Sequence, residues 1–100
     1  MPKNTRLARI NDEIRRESAE IIRSALKDPR IATVTSVIRV ETTSDLSYAK
    51  IYVSILGGED EKAEVMAVLK NASGFIRREI AARLNLRATP EPRFILDDSI

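Results

Sequence analysis

The residues best equipped for chemistry in this chain sit together in the stretch KNASGFIRR at positions 70–78. Lys70, Asn71, Ala72, Ser73, Gly74, Arg77 and Arg78 all fall within it. Glycine lets backbone N–H groups reach an anion with no Cβ in the way. A helix start adds a positive dipole end, and arginines add bidentate phosphate contacts. In a plainer reading, Gly74 only lets two helices pack closely at a corner, and Arg77 pairs with a carboxylate.

Catalysis has poorer material. The chain has no histidine and no cysteine, so the usual nucleophile–base pairs and most transition-metal sites lose their best parts. Glu59, Asp60 and Glu61 read as the acidic first turn of a helix. Asp97 and Asp98 make only a weak case for a cation site. Neither GxxxxGK[ST] nor GxGxxG is present, so nucleotide binding has no support. The chain reads as non-enzymatic, with no cofactor, no metal and no small-molecule substrate.

The elements that must position these residues follow from apolar spacing. Leu7, Ile10, Ile14, Ser18, Ile21 and Ala25 recur at three- and four-residue steps, predicting a helix from Asn4 or Thr5 to about Lys27. Either of those first residues can cap it, and Pro29 biases Asp28 away from helical backbone. Arg9, Arg16, Arg23 and Lys27 fall close to one line on its other side, with Glu13 and Glu20 beside them. That line is either a solvated face with weak ion pairs or a phosphate-tracking face.

Positions 33–42 alternate as a strand, with Val34, Ile38 and Val40 on one face and Thr35, Val37, Arg39 and Glu41 on the other. After a turn around Thr43, Ser44 and Asp45, a second strand turns Ala49, Ile51, Val53 and Ile55 inward. Tyr48, Lys50 and Tyr52 then face outward, the tyrosines being either cross-strand residues or stacking platforms. Val65, Val68, Leu69 and Ala72 mark a helix to about Asn71; Phe75, Ile76, Ile80 and Leu84 mark another. A short strand around Arg93 to Leu96 follows two prolines. This order predicts a two-layer α+β domain, a three-stranded sheet with helices on one face.

One hundred residues, 43% hydrophobic and 32% charged, suit a single domain spanning 1–100 with one core. The start MPKNTRLARINDEIRRE lacks a signal peptide's apolar centre, and no apolar run reaches membrane length. A cytoplasmic location away from membranes is expected. Net charge is only +2, yet it is segregated along the chain. Lys and Arg outnumber Asp and Glu nine to five over residues 1–39, fall to two against six over 40–69, and recover to six against two over 70–93. Such polarity fits an anionic partner, although it also occurs on small domains without one.

Placed between two helices after a hairpin, NASG occupies the position of the GxxG phosphate clamp of type II KH domains, with Asn71 in place of the first glycine. Four blocks carry a wider resemblance: RINDEIRRESAEIIRSALKDPRI, VTSVIRVETTSDLSYAKIYVSILG, LKNASGFIRREIAARLNLRATPEPRF and ILDDSI. In their order and spacing the chain resembles the bacterial ribosome-binding factor A family. That family carries a helix–kink–helix with an Ala-x-Gly signature, matched by Ala72, Ser73 and Gly74; the KDPR corner at 27–30 and the SDL turn at 44–46 also fit.

The resemblance implies a KH-like (type II) fold of order α-β-β-α-kink-α-β. It implies a monomeric, non-catalytic RNA-binding protein of the cytoplasm. Such a protein binds the free small (30S) ribosomal subunit through its ribosomal RNA, assists late rRNA processing and is tied to cold adaptation. Family members continue past DDSI with a variable, often basic tail, whereas this chain stops at Ile100. The expected contact surface joins Lys70, Asn71, Ala72, Ser73, Gly74, Arg77 and Arg78 to Arg9, Arg16, Arg23 and Lys27. The rival reading is a protein-interaction module that docks on a ribosomal protein or assembly GTPase through its strand face.

Overall fold

The computed structural model describes residues 5–97. Its elements run α1 (Thr5–Glu20), a π-helical turn (Ile21–Ala25), α2 (Pro29–Val34), β1 (Thr35–Thr42), β2 (Tyr48–Ile55), α3 (Glu59–Asn71), α4 (Ser73–Arg83) and β3 (Glu91–Leu96). β2 is the central strand, antiparallel to β1 and parallel to β3. Ala49, Ile51, Val53 and Ile55 of β2 are buried while Tyr48 and Lys50 are exposed, so the helices cover one sheet face. The expected two-layer α+β architecture is therefore present, and the molecule measures 39 × 30 × 17 Å.

The core gathers the stripes that the spacing predicts. Ile14 and Ile21 come from the first helical segment, Leu69 from α3, Ile76 and Ile80 from α4, and all are essentially inaccessible. Burying a side chain of this size contributes about 1.5–3 kcal/mol. Ser18 shares the stripe because its hydroxyl donates to the Ile14 carbonyl at 2.7 Å, which satisfies it without water. The Thr42 N–H donates to Asn11 Oδ1 at 2.8 Å, tying α1 to β1.

Three details depart from the spacing. The first helix does not run uniformly to Lys27: it widens to a π turn in which the Leu26 N–H bonds Ile21 O at 3.0 Å. Lys27 then takes φ 58°, outside helical backbone. Next, Thr33 and Val34 belong to α2 rather than to the strand. Asp28 caps that helix by accepting the Arg30 N–H at 3.1 Å, with Pro29 at its first position. Last, β1 bulges between Val37 and Arg39, so Val37 pairs with Val53 and Arg39 with Tyr52. One extra residue flips the parity: Val37 packs on the core, and Ile38, expected beside Val40, is exposed. Of the two residues read as possible caps of the first helix, Asn4 lies outside the described residues.

The hairpin turn closes through Asp45, whose carboxylate accepts the Ser47 N–H at 3.0 Å and the Thr43 hydroxyl at 2.8 Å. The Ser47 bond, then the Thr43 bond, hold this carboxyl below its ordinary pKa. Its contribution to the turn is present at neutral pH and is lost as pH falls through the lowered value.

Gly57 joins β2 to α3 at φ 131°, and a Cβ there would lie 2.6 Å from Glu61 Oε1. That same oxygen accepts the Gly58 N–H at 2.5 Å and so closes the start of α3. Gly57→Ala is expected to cost about 1–3 kcal/mol in urea unfolding, through backbone strain and displacement of Glu61.

Candidate nucleic-acid interface

α3 ends at Asn71 and α4 begins at Ser73, so the break falls on Ala72 at φ −90°, ψ 3°. The kink is where the sequence places it, but Gly74 is not its hinge. Gly74 lies in the first turn of α4, is exposed, and is not among the positive-φ glycines. A Cβ added there would meet only Arg78 Nη1, at an ordinary 3.7 Å. Among the described residues nothing requires a glycine at this position.

Ser73 does not cap α4 either. Its hydroxyl donates to the Lys70 carbonyl at 2.9 Å, closing the last turn of α3. The N-cap of α4 is Ala72, which supplies no side-chain acceptor, so α4 starts without a side-chain cap. Lys70, Asn71 and Arg78 surround this helix start, all exposed, and neither cation pairs with a described carboxylate. Arg77 stands apart: its Nε donates to the Thr89 carbonyl at 3.0 Å, fastening α4 to the segment before β3.

The basic residues of the first helical segment are less available than their spacing implied. Arg16 pairs with Asp12 at 2.6 Å, and Arg23 pairs with Glu20. Arg15 also bonds Asp12, at 3.0 Å, and that bond, aided by the charge of Arg16, lowers the Asp12 pKa. Arg9 is exposed without an ion pair to a described residue. The π turn and the left-handed Lys27 break the expected line, since Arg23 and Lys27 no longer continue one α-helical face.

Beside the kink lies a cleft of about 540 Å³. Lys70 and Ser73 line it from the helices; Tyr48, Lys50, Arg93 and Phe94 line it from β2 and β3. Lys50 and Arg93 are register partners across the parallel ladder, both exposed on the sheet face that the helices leave open, and both line the cleft together with Lys70. The Arg93 guanidinium lies 4.2 Å over the Tyr48 ring and bonds Glu91 at 2.9 Å. None of Arg9, Arg16, Arg23 or Lys27 lines this cleft. Lys50 and Arg93 were absent from the contact surface read from sequence. Their matching outward parity in two strands was the available signal, but it required the parallel register.

The second tyrosine is also covered. Arg39 lies 3.8 Å over the Tyr52 ring, and the Tyr52 hydroxyl donates to Glu41 at 3.1 Å. Both rings thus carry a guanidinium, which favours cross-strand residues over open stacking platforms. Asp97 bonds Arg39 at 3.3 Å, and its neighbour Asp98 lies outside the described residues. Among the described residues there is no cluster of three or more metal-ligating side chains, and no helix is long and apolar enough to cross a membrane.

Sheet order, helix order and the kink together define an α+β fold with a three-stranded mixed sheet and helices on one face. The model of the family "Ribosome-binding factor A" matches residues 6–100, and this chain belongs to that family. Ribosome-binding factor A of Acetivibrio thermocellus is 54% identical over 95 residues, covering 95% of this chain and 77% of the relative. A Thermotoga maritima protein solved by solution NMR has a TM-score of 0.83 at 38% identity, over 100% of this chain and 94% of that one. A homology model of Thermus thermophilus ribosome binding factor A, fitted into the cryo-EM map of a 30S complex, has a TM-score of 0.68 at 26% identity. It covers 85% of this chain and 88% of that one.

Proposed function

We propose that this chain is a ribosome-assembly factor that binds the free 30S subunit through its ribosomal RNA, at the start of α4 and the adjoining cleft. The observation that carries this reading is Gly74, an exposed glycine that no described neighbour requires, at a helix start without a side-chain cap between Lys70 and Arg78. A phosphate approaching the α4 backbone is the partner that a Cβ there would obstruct. The Thermus thermophilus relative placed on a 30S subunit supports the choice of particle. With both tyrosines covered by arginine, contacts to backbone and shape outweigh base stacking. In this reading the protein is a cytoplasmic monomer without catalytic activity. It acts late in small-subunit rRNA maturation and contributes to growth in the cold.

Gly74→Ala tests it. Alanine favours helix, so urea unfolding should show unchanged stability or a gain of up to about 1 kcal/mol. Affinity for protein-free small-subunit rRNA should fall about tenfold, roughly the worth of one hydrogen bond to a charged group. A less stable variant with unchanged affinity would assign Gly74 to packing and sink the proposal.

A further inference from the structure

A second cleft, of about 480 Å³, runs along α3 from Glu61 to Val68. Ile31 and Val34 of α2, Leu56 after β2, and Val68 of α3 form its apolar wall, with Glu61 and Glu64 on the rim. Leu56 is 70% exposed, more than any other large apolar residue described. Its backbone is nonetheless fixed, since its N–H donates to the Val34 carbonyl at 3.0 Å. A leucine held in water at the mouth of an apolar groove marks a contact surface.

Charge identifies the kind of partner. Glu59, Asp60, Glu61 and Glu64 are all exposed on the first turns of α3. The helix start accounts for the first three; Glu64, a turn further in, has no ion pair with a described residue. Arg30, the cation on the rim, already faces Asp28 at 3.6 Å. Phosphate is repelled here, whereas Lys and Arg side chains are attracted.

We propose that this groove docks a basic polypeptide segment, which seats an apolar side chain against Leu56 and sets Lys or Arg against Glu61 and Glu64. The proposal is independent of the RNA reading. From Glu61 to Lys70 α3 rises about 14 Å, so one helix presents an acidic end to protein and a basic end to RNA.

The test titrates the ¹⁵N-labelled chain with three twelve-residue peptides: lysine with leucine, lysine with serine, and glutamate with leucine. Only the lysine–leucine peptide should bind, with amide shifts confined to residues 30–34, 56 and 61–68. Leu56→Ser should weaken that binding about tenfold, as truncating a central apolar anchor does. Glu64→Lys should weaken it as well, and Leu56→Ser should leave rRNA affinity unchanged. Equal binding of the lysine–serine peptide, shifts mapping elsewhere, or an indifferent Leu56→Ser would overturn the proposal. So would concentration-dependent shifts of the same amides without peptide, which would make a second copy the occupant.

Discussion

Replacing Lys70 and Arg78 together by glutamate is expected to lower affinity for small-subunit rRNA about a hundredfold while leaving unfolding unchanged. Both side chains are exposed at the kink and neither pairs with a described carboxylate, so the fold loses little. A hydrogen bond to a charged group is worth about 1.5–3 kcal/mol, and removing two of them comfortably covers a hundredfold change. Arg77 is left out deliberately: reversing it would break the bond to Thr89 and mix stability with binding. Anisotropy titrations between 50 and 200 mM salt supply a second readout. The slope of log affinity on log salt should shrink by about one for each phosphate that the variant no longer neutralises. If affinity and slope both survive, the kink is not in the interface.

The second large effect concerns stability. Leu69 is fully buried in α3, immediately before Lys70, and its carbonyl accepts the Ala72 N–H at 3.2 Å. Leu69→Ala should cost about 2–5 kcal/mol in urea unfolding, by forfeited transfer energy and by the cavity left behind. That is a large share of the roughly 5–15 kcal/mol that holds such a domain together. Thermal unfolding should move down by about 10 °C or more. Because this side chain also anchors the helix end that carries Lys70, rRNA affinity should fall with it. A destabilisation below about 1 kcal/mol would show that neighbouring helices close over the gap.

Much of the fold was legible because apolar periodicity was strong where burial was one-sided. β2 alternates cleanly, and the stripes of α1, α3 and α4 converge on the core that spacing anticipates. The end of α2 was read as strand because Thr33 and Val34 are β-branched, although Asp28 before Pro29 is a cap-and-first-turn signal. The bulge at Ile38 escaped notice because an inserted residue leaves composition intact and only reverses parity. At the candidate site, the kink was legible from NASG lying between two stripes. Its closest partners were not, because Lys50 and Arg93 join Lys70 only through strand pairing and helix docking. Arg77 illustrates the converse: its position near the glycine suggested a contact, and its bond to a backbone carbonyl gives it a structural task.

The bulge in β1 has one more consequence. A three-stranded sheet leaves two strands with a free row of backbone donors and acceptors, an invitation to intermolecular pairing and aggregation. β1 interrupts its row at Ile38, and β3 carries Pro92, which has no N–H to offer. Charged Glu91 and Arg93 flank that proline. Neither free side presents a straight template on which another chain could extend the sheet, so excising Ile38 to restore a regular ladder would trade solubility for tidiness.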